Sequence, residues 1–243
     1  VVATIGGAGM PQANSIVDGI ESQLNFDWIL SLPGGGEISV VAILIGLILV
    51  FFTGLVIVGG IKRIGRVAAW LIPAISVVYV GGGLLVMALN YDRLPGVISL
   101  IAQHAFSTYA VAGGAVGYTV AEAIRYGVAR GVFTNEAGLG SAPVAYAATK
   151  AKSPVDQGLL AMLEVFIDTI LTCSITAFVV LASGLWDDGL TGTALTIEAF
   201  SGTLGWAGAG IVVLSTILFG FSTIIGWSYY GEQYTAYLFG SGS

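Results

Sequence analysis

Long apolar runs constrain this chain more than any other feature. Residues 38–60 read ISVVAILIGLILVFFTGLVIVGG and contain no charged side chain. A helix of about 23 residues is roughly 34 Å long, which is enough to cross the hydrocarbon core of a bilayer. Charged residues make up only 9% of the sequence, whereas soluble domains usually carry about a quarter. The chain is therefore predicted to be an integral membrane protein with several crossings.

Comparable apolar runs recur along the sequence. The candidate spans are residues 1–20, 38–60, 67–90, 113–149, 153–184 and 206–231. The fourth is far too long for one straight helix, so we expect it to cross once and to be broken near 131–143. We interpret residues 1–243 as a single transmembrane domain, and as an internal piece of a longer protein, because the sequence starts at Val1 and stops soon after an apolar run.

Charged residues predict the orientation of these spans. Lysine and arginine cluster in the connections at 62–66 and 150–152, and such basic connections usually face the cytoplasm. The 67–90 span would then run outward. The connection at 185–204, which is acidic and is expected to be a loop, would lie outside. The segment at 21–38, also acidic, is expected to be a loop with a short interfacial stretch.

Several classes of function are disfavoured by composition. A net charge of −6 gives no basic footprint for nucleic acid. The single Cys173 and single His104 allow neither a disulfide framework nor a Cys or His metal cluster. An intramembrane hydrolase using Glu164 and Asp168 is disfavoured because the sequence lacks GxGD, HExxH and GxSxG motifs. We therefore expect no catalytic residues and no enzyme activity.

The segment GVFTNEAGLGSAPVAYAATK, residues 131–150, places helix-breaking and polar residues inside an apolar chain. Gly138 and Gly140 permit backbone conformations that other residues avoid. Unpaired peptide groups are costly in hydrocarbon, so such a break is tolerated only where it lines a cavity or contacts a ligand. Secondary transporters use broken helices in this way. The alternative is a water-exposed loop between two half-length helices.

A polar stripe is predicted on the next span. Glu164, Asp168, Thr172 and Thr176 are four residues apart and would share one face of an α-helix. Carboxylates at membrane depth are costly, so they imply a polar interior, an ion or hydrogen-bond donors. The stripe would serve an ion or proton, or would brace the bundle by pairing with arginines or backbone amides.

Further polar residues lie on the last span and near the start. Ser222 and Thr223 offer hydroxyl oxygens suited to a Group 1 or Group 2 cation, with Trp227 one turn away as a wall for a small side chain. Alternatively, the hydroxyls bond back to their own helix and Trp227 belongs to an interfacial aromatic belt. Gln12 can donate and accept hydrogen bonds to a zwitterion, or can pack between helices.

Four segments of the sequence resemble those of a known family. RGVFTNEAGLGSAPVAYAA (130–148) closely resembles the signature of the alanine/glycine:cation symporters, the sodium:alanine symporter family. LEVFIDTILTCSITAFVVLASG (163–184), FGFSTIIGWSYYGEQ (219–233) and GMPQANSI (9–16) resemble further family segments in the family's order. The resemblance covers nearly the whole chain but only about half of a family member.

The resemblance implies an all-α membrane protein with a LeuT-like inverted-repeat helical bundle, present here as about the third to eighth helices. The implied function is Na⁺-coupled symport of alanine or glycine across the cytoplasmic membrane by alternating access. A cation channel or a proton-coupled amino-acid transporter is the alternative. The implied partners are the amino acid, the co-transported Na⁺, the lipid bilayer and the N- and C-terminal helices of the same protein that this sequence lacks.

The resemblance also implies roles for individual residues. The substrate would contact Gln12, Phe133, Thr134, Asn135, Gly138 and Trp227. Na⁺ would be bound by Ser222 and Thr223. Supporting or ion-path roles would fall to Glu136, Glu164, Asp168 and Thr172. The first, partly unwound helix of this fold is absent, so the site in this sequence is expected to be incomplete.

Overall fold

The computed structural model describes residues 9–24, 28–31, 37–106, 125–136 and 138–240. Residues 1–8 of the first expected span and 113–124 of the fourth lie outside these ranges, as does Ala137 in the expected break. The described residues are mostly helical, which confirms the predicted all-helical membrane class at that level.

Helices form nearly all of the regular structure. In chain order they are α1 (Gly9–Glu21), α2 (Val40–Ile57), α3 (Gly60–Leu89), α4 (Leu94–Phe106), α5 (described over 125–134), α6 (Ala142–Ala147), α7 (Pro154–Val165), α8 (Ser174–Ser183), α9 (Gly192–Leu204) and α10 (Trp206–Phe239). A π-helix, Phe166–Cys173, joins α7 to α8, and short 3-10 helices lie at Tyr91–Arg93 and Leu185–Asp187.

Four continuous helical stretches among the described residues are long and apolar enough to cross a bilayer. They are Val40–Ile57, Gly60–Leu89, Pro154–Ser183 and Trp206–Phe239. On α2, the side chains of Leu47, Val50 and Phe51 are 62%, 71% and 62% exposed, and such a surface suits hydrocarbon rather than water. The protein is therefore an integral, multi-pass membrane protein.

The starts of two crossing helices follow from local sequence. The Ser39 hydroxyl accepts a hydrogen bond from the Ala42 amide at 3.4 Å and caps α2. The Ser153 hydroxyl caps α7 in the same way, through the Asp156 amide at 3.1 Å, and Pro154 follows where its missing N–H costs nothing. This helix therefore begins at the start of the candidate span 153–184.

The basic connection predicted at 62–66 is wrong, because α3 already begins at Gly60. The chain turns instead at Gly60, where φ is 66°, a conformation that glycine adopts without strain. The Arg63 guanidinium Nη1 donates to the Leu55 carbonyl oxygen at 2.9 Å. Arg63 thereby supplies a donor to one of the carbonyl oxygens in the last turn of α2, which lack partners within the helix.

Two predicted loops contain regular structure. The 185–204 loop is wrong from residue 192 onward, where α9 forms. Its Ile197 and Phe200 are 2% and 0% exposed, so burial of apolar side chains outweighs the polar composition of the segment. Within 21–38, a short antiparallel pair joins β1 (Ile29–Ser31) to β2 (Glu37–Ser39), with Ile29 opposite Ser39.

The chain divides into two compact units, one made of Val1–Val86 with Ser183–Ser243 and the other of Met87–Ala182. In the first unit α1, α9 and α10 pack against one another, and Phe200 and Ile225 are fully buried.

α9 and α10 approach closely because Gly208 has no side chain. A Cβ atom at Gly208 would overlap the carbonyl group of Phe200. The neighbouring Gly210, on the same helix, would place its Cβ in open space, with no atom within 4 Å. Close contact between α9 and α10 therefore requires glycine at position 208, whereas position 210 has room for a side chain.

We predict that Gly208→Ala destabilises the protein, because overpacking against a backbone group typically costs about 1–3 kcal/mol. Gly210→Ala is the matched control and should leave stability unchanged or raise it, since alanine favours helix over glycine by about 1 kcal/mol. Thermal unfolding of the full-length protein in detergent measures both. Equal unfolding temperatures for the two variants would contradict the packing described for α9 and α10.

Candidate functional site

The chain leaves helical geometry where the break is expected. Helical residues of α5 end at Thr134, and α6 begins at Ala142. Between them φ is positive at Glu136 (51°), Gly138 (76°) and Gly140 (75°). Glycine adopts this region readily, whereas a glutamate there is strained and needs support from its surroundings.

A side-chain hydrogen bond spans the break and supports Glu136. The Ser141 hydroxyl donates to Glu136 Oε2 at 2.7 Å, and Ser141 is 2% exposed. Pro143 lies in the first turn of α6, where a proline removes no helical hydrogen bond. The two arms of the break are thus joined by a bond between charged and neutral groups, the stronger kind of hydrogen bond.

Asn135 connects the break to two other groups. Its Nδ2 donates to the Gly131 carbonyl oxygen at 3.0 Å, which caps the end of α5. Its Oδ1 accepts a hydrogen bond from the Thr169 hydroxyl at 3.0 Å. Phe133 and Thr134, the residues just before Asn135, are exposed in the described structure. Gly138 is exposed as well.

The predicted stripe of four residues is wrong in its geometry. It assumed α-helical spacing, but Phe166–Cys173 is a π-helix, whose hydrogen bonds run between residues five apart. The Thr172 hydroxyl accordingly donates to the Ile167 carbonyl oxygen at 3.1 Å, and the Thr176 hydroxyl donates to the Thr172 carbonyl oxygen at 2.8 Å. Both hydroxyl hydrogens are thus donated to carbonyl oxygens of the helix that carries the threonines.

The two carboxylates of that stripe have different surroundings. Glu164 Oε2 accepts a hydrogen bond from the Tyr146 hydroxyl at 3.0 Å, which ties α6 to α7. Asp168 Oδ2 is enclosed and has no hydrogen-bond partner among the described residues. An enclosed carboxylate oxygen without a partner is costly, so a proton or a cation on this group would relieve the cost. Within the same described ranges, no group of three His, Cys, Asp or Glu side chains could hold a metal ion.

The remaining expected site residues lie in the unit that contains α1 and α10. The Ser222 and Thr223 hydroxyls both donate to the Phe219 carbonyl oxygen, at 2.8 and 3.0 Å. Trp227 is 8% exposed and meets Tyr230 edge-on, with ring centroids 5.5 Å apart. The back-bonding considered for the hydroxyls is therefore present, and Trp227 lies in the packed interior of its unit.

Gln12 lies beside the contact between α1 and α10. A Cβ at Gly220 would come within 2.8 Å of the Ile16 side chain and 3.6 Å of the Gln12 carbonyl oxygen, so the helices pack closely there. A Cβ at Gly226 would meet nothing within 4 Å. Gly220 is therefore closely packed, and Gly226 is not. Gln12 Oε1 is enclosed and lacks a hydrogen-bond partner among the residues described.

Each unit contains one set of the expected residues. The unit Met87–Ala182 holds Phe133, Thr134, Asn135, Glu136, Gly138, Glu164, Asp168 and Thr172. The other unit holds Gln12, Ser222, Thr223 and Trp227.

Three residues that contact these groups were not singled out from the sequence: Ser141, Tyr146 and Thr169. Ser141 and Tyr146 lie within the segment 131–150, where every polar side chain is a candidate partner for the break. Thr169 follows Asp168 directly but is not part of the expected stripe, and it lies within the π-helix.

Comparison with known proteins gives a consistent result over the whole chain. The family model described as the sodium:alanine symporter family matches residues 1–243. An uncharacterized transporter of Haemophilus influenzae is 40% identical over 242 residues, which cover 99% of this chain and 50% of that protein. The sodium/alanine symporter AgcS of Methanococcus maripaludis is 37% identical over 243 residues, 98% of this chain and 49% of the relative.

A further relative carries a different substrate in its name. The probable sodium/glutamine symporter GlnT of Bacillus subtilis is 41% identical over 195 residues, which cover 80% of this chain and 40% of that protein. The chain spans about half the length of the curated relatives that it matches.

Proposed function

This chain belongs to the sodium:alanine symporter family, and from that premise we propose that the protein carries out Na⁺-coupled symport of a small neutral amino acid, alanine or glycine, by alternating access. The family is one of symporters and not of enzymes. We propose a LeuT-like inverted-repeat fold, in which this chain contributes about the third to eighth helices and helices outside residues 1–243 complete the site.

The observation that carries this proposal is the break between Thr134 and Ala142. A polytopic membrane chain that leaves helical geometry exposes peptide N–H and C=O groups, which hydrocarbon cannot satisfy. A zwitterionic amino acid supplies both a carboxylate and an ammonium group to such peptide groups. We assign the substrate-binding role on this segment to Phe133, Thr134, Asn135 and Gly138.

Na⁺ is assigned to the Ser222 and Thr223 hydroxyl oxygens. Both hydroxyl hydrogens point to the Phe219 carbonyl, so oxygen lone pairs remain available to a cation. Hydroxyl oxygens are hard ligands suited to Group 1 ions. Additional ligands would come from helices outside this chain.

Two residues of the same unit are assigned to the substrate. The enclosed Gln12 Oε1 is an acceptor that lacks a partner among described residues, and the ammonium group of an amino acid is a matching donor. The buried Trp227 ring is assigned to the wall that limits the size of the substrate side chain. Glu136, Glu164, Asp168 and Thr172 are assigned supporting or ion-path roles.

Proton coupling is the second candidate, and the enclosed Asp168 Oδ2 is the observation that favours it. Protonation of Asp168 would remove the cost of burying its charged form. Proton transport would then accompany, or replace, Na⁺ transport.

The proposed function is tested by uptake of radiolabelled alanine into liposomes that contain the purified full-length protein. We predict saturable accumulation driven by an inward Na⁺ gradient and abolished when Na⁺ is equal on both sides. Uptake driven by a pH gradient alone would favour the proton-coupled candidate. A non-saturable current without alanine accumulation would contradict symport.

We further predict that Thr223→Ala raises the half-saturating Na⁺ concentration by about tenfold, equivalent to about 1.4 kcal/mol, because one oxygen ligand is lost. Thr235→Ala is the matched control. Its exposed hydroxyl bonds to the Gly231 carbonyl in the same helix, at 2.8 Å, in the same four-residue pattern as Thr223. An identical Na⁺ dependence in the two variants would remove Thr223 from the ion site.

A further inference from the structure

The amide of Asn135 has a fixed orientation. The Gly131 carbonyl oxygen can only accept a hydrogen bond, so the atom that faces it at 3.0 Å is Nδ2. Oδ1 therefore faces Thr169, whose hydroxyl must be the donor in the 3.0 Å contact. The amide has two donor hydrogens and two acceptor lone pairs, so one N–H and one lone pair remain for another molecule.

Thr169 owes its reach to the π-helix. Glu164 and Thr169 are five residues apart, and they bond to Tyr146 and Asn135, which lie on opposite sides of the break. Continuous α-helical spacing would instead pair Glu164 with Asp168, four residues on. The wider turn at Phe166–Cys173 thus decides which side chain meets the break.

The Thr169 hydroxyl donates its hydrogen to a residue outside this crossing helix. The Thr172 and Thr176 hydroxyls donate theirs to carbonyl oxygens of their own helix. A threonine hydroxyl ordinarily makes that local bond, so its use in an interaction across 34 residues of sequence points to a specific task.

We propose that Thr169 is a positioning residue for substrate recognition. It holds Oδ1 of Asn135 and so turns the remaining Nδ2–H of Asn135 toward the carboxylate of the bound amino acid. This inference rests on the proposed function, because it requires Asn135 to contact an amino-acid substrate. Without the Thr169 hydroxyl, Oδ1 loses its donor, and the amide is held only by the bond from Nδ2 to the Gly131 carbonyl oxygen, so the direction of the remaining N–H is less firmly set.

The inference is tested with Thr169→Val, which keeps the shape of threonine and removes its hydrogen bond, in the full-length protein in liposomes. The KM for radiolabelled alanine should rise roughly five- to tenfold, as expected for the loss of one hydrogen bond. The maximal rate and the half-saturating Na⁺ concentration should stay near the wild-type values, since Thr169 is not one of the proposed ion ligands. Thr169→Ser should restore the wild-type KM.

Thr235→Val is the matched control, because it removes a threonine hydroxyl that bonds to the Gly231 carbonyl oxygen of its own helix and has no proposed role in transport. Its KM should remain within about twofold of wild type. An equal rise of KM in Thr169→Val and Thr235→Val, or a failure of Thr169→Ser to restore KM, would overturn the positioning role.

A second measurement does not depend on transport. Thr169→Val, Asn135→Ala and the double variant form a cycle of thermal unfolding in detergent. The two substitutions should be non-additive, because the second removes a bond that the first has already broken. Additive losses would overturn the contact itself. Absence of alanine transport by the wild-type protein, with coupling intact in the cycle, would instead refute the proposed function and leave the Thr169–Asn135 contact standing.

Discussion

Peptide groups that leave a helix inside hydrocarbon must find partners, and the proposed substrate site rests on that requirement. Between Thr134 and Ala142 the chain leaves helical geometry, with positive φ at Glu136, Gly138 and Gly140. Glycine makes two of these conformations inexpensive, while the third places strain on a glutamate. A chain this apolar retains such a segment only where other groups stabilise it, and side chains supply part of that stabilisation.

Three side-chain hydrogen bonds hold the break. Ser141 bonds to Glu136 across it, Thr169 bonds to Asn135 on one side, and Tyr146 bonds to Glu164 on the other. Two of the three lead to the same crossing helix, Pro154–Ser183, at Glu164 and at Thr169 within the π-helix. Movement of that helix would therefore act directly on the segment proposed to bind substrate, which gives the proposed alternating access a physical route for coupling.

The parts of this structure that depend on local sequence were predictable. Hydropathy located the four long crossing helices, and Gly138 and Gly140 located the break. The parts that depend on packing were not. The helix α9 forms in a segment of polar composition because Phe200 is buried, and the π-helix replaces the α-helical spacing from which the Asp168 stripe was inferred. The Asn135–Thr169 bond joins residues 34 apart, which no local pattern reveals.

An experimental structure of the full-length protein with Na⁺ and alanine bound would decide whether the break binds substrate. We expect an amino acid in hydrogen-bond contact with peptide groups of residues 133–138, and a chain that is non-helical between Thr134 and Ala142. A continuous helix through these residues, or alanine bound without any contact to them, would contradict it.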